Sequence, residues 1–253
     1  MTARKWLVAV GILCLFAVAA SAEWERTINA FDSRLPAQGK LQLALWGLYF
    51  ESDNAGADVN EMDGTAYLNY GIKDKWSASI APGVTRWDVD NGDSESGLAD
   101  TKLLTTYRFL YEADAGLDLA IMGRVLIPTG DDDKGLGTGH VEPGLLLIAA
   151  KTIGPIIVVG NAGGSLILNP NRGEEDFILG GALEGIYPLS DRLNLNAVCS
   201  ASTARMDGGD DTVDVGVGAR FTPLKQFFLL GGIYTCLTDA YDWGIQVATG
   251  YEF

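Results

Sequence analysis

Apolar and polar residues alternate with a period of two through most of residues 40–253, in short runs separated by turn residues. A β-strand has this period because successive side chains point to opposite faces. The same residues contain no helical stripe of apolar side chains longer than two turns. The pattern therefore restricts this part of the chain to an all-β fold.

About twelve alternating runs can be counted, an even number, as single-chain bacterial outer-membrane barrels require. The predicted strands lie at 40–52, 64–73, 75–87, 98–111, 116–128, 139–151, 155–168, 176–188, 192–205, 212–222, 226–238 and 241–253.

The composition of the two strand faces indicates a membrane barrel. One face is apolar and rich in aromatic residues, whereas the other combines glycine with charges of both signs. A soluble β-sandwich also alternates, but glycines and charges on the inner face suit a barrel lumen, where glycine relieves crowding. We predict an antiparallel up-and-down transmembrane β-barrel. The aromatic residues expected in its interfacial girdles are Trp76, Tyr107, Tyr111, Tyr187, Tyr241 and Tyr251.

Residues 1–22 have the features of a secretory signal peptide, with a basic start, an apolar run and a final Ala-Ser-Ala. The apolar run is shorter than the roughly 20 residues that a spanning helix needs. Residues 23–39 do not alternate, and we expect either an N-terminal periplasmic tail or a plug of the lumen. Residues 40–253 form the predicted barrel, which we expect in the outer membrane of a Gram-negative bacterium.

The connections between strands alternate between short turns and longer acidic loops. The longer set contains 20 of the 33 carboxylates, and its only basic residues are Lys134 and Arg172. Short turns face the periplasm in such barrels, so we expect a negative outer mouth that concentrates cations. The short set is 73–75, 112–115, 152–154, 189–191 and 224–225, and the long set is 52–63, 88–95, 131–142, 169–176, 206–211 and 239–242.

Composition excludes several classes of function. Thirty-three acidic against 18 basic residues give a net charge of −15, which would repel the phosphates of a nucleic acid. The single histidine, His140, has no adjacent serine and no second histidine, so we predict no enzyme and no catalytic residue. We expect Cys199 and Cys236 to be unpaired, because another strand lies between the two strands that carry them.

Charged residues on strands are expected to point into the lumen, since a charge facing lipid costs roughly 2–4 kcal/mol at the bilayer midplane. These side chains form either a charged pore lining that selects permeants or a mutually paired ladder that fills the barrel. The predicted lumen-lining residues are Lys102, Arg108, Asp118, Arg124, Glu184, Asp214, Arg220 and Gln246.

One loop has a distinctive composition of Pro, Gly and Asp. We expect one of three roles for it. The loop could fold inward and narrow the pore, its carboxylate oxygens could bind Ca²⁺, or it could be a solvated loop whose charges repel one another. We expect no other cofactor. The loop residues are Pro128, Thr129, Gly130, Asp131, Asp132, Asp133, Gly137 and Gly139.

The same stretch carries a family resemblance. The sequences SGLADT around Asp100, LIPTGD ending at Asp131 and LGTG ending at Gly139 resemble motifs of the outer-membrane family named MetA-pathway of phenol degradation. Ile127 replaces a usual Leu, and Glu142 stands where Asp is commoner. The resemblance is clear over about the middle third of the chain, residues 97–161. It implies an outer-membrane barrel that transports hydrophobic or aromatic compounds.

Two classes of function follow. The first is an outer-membrane channel or transporter for small compounds, hydrophobic or aromatic ones included. The second is a structural or surface-interaction barrel without transport, whose acidic loops bind cations. The expected partners are outer-membrane lipid, a small-molecule permeant and the barrel-assembly machinery, for which the terminal aromatic residues Tyr251 and Phe253 would be the signal.

Overall fold

The computed structural model describes residue 27 and residues 30–54, 57–90, 92–238 and 240–253. They form a closed barrel of twelve antiparallel strands, which confirms the predicted fold class. The predicted signal peptide lies outside the described residues. The strands are β1 (Leu41–Asn54), β2 (Ala57–Lys73), β3 (Trp76–Val89), β4 (Ser94–Leu110), β5 (Asp118–Ile127), β6 (Glu142–Ile153), β7 (Ile156–Leu166), β8 (Phe177–Ser190), β9 (Leu193–Ser202), β10 (Thr212–Leu224), β11 (Phe227–Cys236) and β12 (Trp243–Glu252).

The barrel closes between the first and last strands. β1 pairs with β12 from Gln42 opposite Glu252 to Glu51 opposite Trp243, so the ladder has no free edge. Phe253 extends this seam, because its N–H donates to the carbonyl of Leu41 at 2.8 Å. The ring of Phe253 packs against that of Tyr251 at 4.8 Å, whereas the expected role of both residues in assembly stays a prediction.

The outer surface is apolar, as a lipid-facing wall requires. Leu145, Ile233 and Val247 are each more than half exposed, and each alternates with a buried or half-buried neighbour. Cys199 is also exposed, and neither it nor Cys236 forms a disulfide. No helix among the described residues is long and apolar enough to cross a membrane. The part of the chain that the structure describes has two helical elements, α1 (Glu112–Ala115) and a 3-10 turn (Asp132–Lys134).

The predicted outer loop at 52–63 is wrong. β1 continues to Asn54 and β2 begins at Ala57, with Glu51 opposite Asn60 and Ser52 opposite Val59. Beyond the apolar band of the wall, both faces of a hairpin meet water. The strands there need no apolar alternation, which removes the signal used to predict them.

The interior is more apolar than the expected small and polar lining. Phe228, Ile148, Ile186 and Val159 point inward and are fully buried. They belong to two clusters that line the lumen, and one of these includes Ala30 from the segment before β1. Apolar side chains are stable here because they pack against protein rather than against a water column.

Candidate functional site: the barrel lumen

The segment before β1 lies inside the barrel. Ala30 and Ser33 are buried, and both contact the wall through hydrogen bonds. The N–H of Ala30 donates to Glu184 Oε2 at 3.2 Å. The backbone of Phe31 makes two bonds with the Asn161 side chain, at 2.5 Å to Oδ1 and 3.0 Å from Nδ2. The side-chain amide of Asn161 thus pairs with the backbone of Phe31 as a peptide group of a neighbouring strand would. These hydrogen bonds hold the segment against β7 and β8.

Asp118 joins the same segment to β5. Its carboxylate accepts a hydrogen bond from Ser33 Oγ at 3.3 Å and one from the N–H of Glu112 at 2.7 Å. It also pairs with Arg108, whose guanidinium lies 4.1 Å from the centre of the Tyr111 ring. Asp118 is buried and fully engaged, so its charge is neutralised within the lumen.

The segment leaves the lumen across Gly71 of β2. A Cβ atom at this position would lie 2.1 Å from the carbonyl oxygen of Ala37 and 2.6 Å from that of Pro36. The N–H of Gly39 donates to the Gly71 carbonyl at 2.7 Å, and the N–H of Gly71 donates to Lys40 at 3.0 Å. Only glycine permits this approach, because the contacts are with backbone that cannot rotate away.

A cavity of about 340 Å³ remains on the opposite side of the lumen. Strands β1 to β5 and β12 form its wall, and residues of the N-terminal segment close the other side. The lumen is thus divided into a filled half along β5–β9 and an open half along β1–β5. The wall residues around the cavity include Gln42, Trp46, Leu48, Tyr67, Asn69, Lys102, Leu104, Thr106, Met122, Arg124 and Gln246.

The remaining predicted lumen residues have neighbours on the inner wall. Glu184 is fully buried and accepts a hydrogen bond from Asn196 Nδ2 at 2.6 Å. Asp214 accepts a hydrogen bond from Tyr241 Oη at 2.8 Å, and Gln246 Oε1 accepts one from Tyr234 Oη at 2.5 Å. Arg220 Nη1 donates a hydrogen bond to Thr222 Oγ1 at 2.7 Å. The charges of Glu184, Asp214 and Arg220 are therefore engaged with other side chains. The sequence carried one usable sign of the segment's binding site, the inward Asn161 in a strand of small and apolar residues.

The Pro-Gly-Asp loop between β5 and β6 folds around Asp100 of β4. The Asp100 carboxylate accepts hydrogen bonds from the N–H of Gly130 at 3.0 Å, the N–H of Thr138 at 2.7 Å and Thr138 Oγ1 at 2.8 Å. A Cβ at Gly137 would lie 2.5 Å from Asp100 Oδ1. The glycines and Asp100 of the resemblance motifs therefore meet in one folded loop.

The three consecutive aspartates lie on the exposed surface of the same loop. Asp131, Asp132 and Asp133 are exposed at the 3-10 turn, and Lys134 Nζ lies 3.8 Å from Asp131 Oδ2. The carbonyl of Lys134 accepts a hydrogen bond from Trp87 Nε1 at 2.9 Å. Among the described residues, no group of three or more His, Cys, Asp or Glu side chains is arranged to hold a metal ion.

A second polar network joins three outer loops. His140 Nε2 lies 2.7 Å from Glu174 Oε2 and 3.1 Å from Asn171 Nδ2, while Arg205 Nη2 lies 2.6 Å from Glu142 Oε1. The pKa of Glu174 is lowered, first by the N–H of Asn171 and then by His140 and Arg205, against the opposing effect of burial. Sequence reasoning missed Arg205 because it assigned this residue to the strand that ends at Ser202.

The lowered pKa of Glu174 makes this network dependent on pH. Its stabilisation is complete above the ordinary carboxyl pKa and is lost as the pH falls through the lowered value. We expect Glu174→Gln to speed hydrogen exchange of residues 167–176 at pH 7, and we expect its difference from wild type to shrink as the pH falls through the lowered pKa of Glu174. Glu175→Gln is the matched control. Equal wild-type and Glu174→Gln exchange at pH 7 would contradict the prediction.

Comparison with solved structures shows the fold. The COG4313 outer membrane channel from Pseudomonas putida F1 superposes with a TM-score of 0.72 at 16% identity, covering 90% of this chain and 100% of that chain. The beta domain of the Bordetella autotransporter BrkA gives 0.55 at 14% identity, covering 85% and 99%. The NanC porin gives 0.55 at 7% identity, covering 83% and 98%.

These likenesses establish that the chain has the fold of a bacterial outer-membrane β-barrel. No protein-family model matches the chain. No curated protein matches it either. The resemblance to the phenol-degradation family therefore stays a prediction.

Proposed function

We propose that this protein is an outer-membrane channel for small molecules, gated by its own N-terminal segment. The observation that carries the proposal is the cavity of about 340 Å³ that the segment leaves along β1–β5 and β12. A barrel built only as a scaffold gains stability from a completely packed interior, whereas a lined cavity beside a removable segment suits passage.

The hydrogen bonds of the segment suit a movable gate. Ala30 and Phe31 are bound through backbone groups to Glu184 and Asn161, and the barrel ladder closes through strand pairs alone. Displacing the segment therefore costs a few hydrogen bonds and some apolar contact, but it breaks no strand pairing. The protein would act by opening a path rather than by catalysis.

The permeant class follows from the lining and from the resemblance. Trp46, Leu48, Leu104 and Met122 supply apolar surface to the cavity. The phenol-degradation family to which residues 97–161 are similar is named for aromatic compounds, and the COG4313 protein is named a channel. The apolar lining and the family resemblance support a small hydrophobic or aromatic permeant, whereas the name of the COG4313 protein supports only a channel. Outer-membrane lipid surrounds the barrel, and we propose the barrel-assembly machinery as the partner that inserts it.

A barrel without transport is the second candidate. The filled half of the lumen favours it, because the Arg108–Asp118 pair and the bonds of Glu184 occupy the charges that would otherwise line a pore. In that case the segment is a permanent part of the core, and the acidic loops provide the surface for cations or partners.

Gly71→Ala tests the channel in the full chain. The added methyl group meets the backbone of Ala37, so we expect it to push the segment from the lumen and to increase the frequency and size of currents in planar bilayers. Gly160→Ala is the matched control, because its Cβ would lie 3.8 Å from its nearest neighbour, Leu183 Cδ1. Absence of current from Gly71→Ala protein that keeps heat-modifiable gel mobility would contradict the channel.

A further inference from the structure

The geometry of the cavity points to a specific class of permeant, and we propose that it binds small aromatic carboxylates. This inference rests on the proposed function, because the site would serve permeation only in a channel. It requires two features on one cavity: a cationic end for the carboxylate and an aromatic end for the ring.

Lys102 and Arg124 form the cationic end. Both face inward on adjacent strands, with Lys102 opposite Leu126 and Arg124 opposite Leu104, so they are diagonal neighbours. Diagonal Cβ atoms are about 7–8 Å apart or somewhat less. The Arg124 side chain runs over Gly144 to Ser165 of β7, so it must turn back towards β4 for both cations to hold one carboxylate. Among the described residues of the barrel wall, they are the only charged ones that line the cavity.

Neither Lys102 nor Arg124 forms an ion pair with a described carboxylate. Lys102 has no ion pair or hydrogen bond to a described side chain, and Arg124 uses one of its five N–H donors on Ser165 Oγ. Two carboxylates at nearby inward positions are occupied elsewhere, Asp100 by the β5–β6 loop and Glu142 by Arg205.

The N-terminal segment adds one charge of each sign to the cavity. Asp32 and Arg34 both line it, and Asp32 Oδ1 accepts a hydrogen bond from the Arg34 N–H at 3.2 Å. They leave the lining with an excess of positive charge, in a chain whose net charge is −15. Anion binding at this site therefore comes from local placement and runs against the sign of the whole protein.

Trp46 and Tyr67 form the aromatic end. Their rings meet edge to face, with centroids 6.4 Å apart and planes at 71°, and both line the cavity. Trp46 on β1 lies level with Ala99 of β4, so it is three strand intervals, about 14 Å, from Lys102 around the wall and three residues, about 10 Å, from it along the strands. Two long side chains span part of that distance, and the remainder accommodates a molecule with a ring at one end and a carboxylate at the other.

Ligand-observed NMR on protein extracted in detergent from outer membranes tests the site, with benzoate as probe and benzyl alcohol as its neutral counterpart. We expect benzoate to bind at least about tenfold more tightly than benzyl alcohol, because charge-assisted bonds are the stronger ones. Lys102→Gln combined with Arg124→Gln should remove this preference without weakening benzyl alcohol. Trp46→Leu should weaken both ligands.

Lys151→Gln is the matched control, because Lys151 is exposed on β6 away from the cavity and should leave both affinities unchanged. Heat-modifiable gel mobility verifies that each variant is folded. Equal binding of the two ligands, equal benzoate affinity of wild type and the double variant, or no benzoate binding would overturn the site.

Bilayer currents separate this inference from the proposed function. If Gly71→Ala protein carries current and benzoate does not bind, the anion site is wrong and the channel stands. If benzoate binds with the expected preference and no variant carries current, the site stands and the channel is wrong.

Discussion

Deleting residues 23–38 should raise the single-channel conductance of the barrel by at least about tenfold, because conduction through a narrow pore requires a continuous water path. The segment occupies the half of the lumen along β5–β9, where Ala30 and Ser33 are buried. Its removal joins that volume to the cavity along β1–β5. Gly39 is retained because its N–H bonds to Gly71 at the mouth of the barrel.

The deletion is expected to leave the barrel folded. All twelve strands pair with neighbours in the closed ladder, and the segment contributes to none of those pairs. Planar bilayers provide the measurement, and heat-modifiable gel mobility verifies folding. A synthetic peptide of residues 23–38 added to the truncated barrel should reduce the current again, whereas a scrambled peptide of equal composition should not. A truncated, folded barrel with wild-type conductance would show that the segment is not the gate.

Asp100→Ala should accelerate tryptic cleavage after Lys134 by an order of magnitude or more. Asp100 accepts three hydrogen bonds from the β5–β6 loop, and each bond to a charged group contributes about 1.5–3 kcal/mol. Loss of even one such bond shifts local opening by about tenfold, and a protease cleaves the opened loop. Lys134 is half-exposed and lies between the two anchored ends of the loop.

Asp133→Ala is the matched control for this experiment. It removes a carboxylate of the same charge from the same loop, but Asp133 is exposed and far less embedded than Asp100. Mass spectrometry identifies the cleavage at Lys134 among other basic sites. If Asp100→Ala and Asp133→Ala are cleaved at the same rate, the carboxylate of Asp100 does not hold the loop.

Much of the barrel wall could be predicted from local pattern. The predicted strand at 226–238 matches β11 at Phe227–Cys236. Strand parity alone orients Lys102, Arg124 and Gln246 inward, and all three line the cavity. The errors lie in regions where contact with lipid does not impose alternation of apolar and polar residues. Residues 52–63 project beyond the lipid, where neither face must be apolar, and the inward Phe228 and Ile148 pack against a segment that alternation does not describe.

The sequence by itself determined which side of each membrane strand faces lipid and where most chain reversals occur. These features depend on neighbouring residues and on the low polarity of the bilayer, so they are readable locally. Only the tertiary structure decided how the lumen is occupied. Ala30 meets Glu184 across 154 positions, Asp100 meets Thr138 across 38, and His140 lies beside Glu174 on another loop. Such contacts arise when a closed ladder brings distant strands around one axis, and no local pattern encodes which inward side chain will meet which.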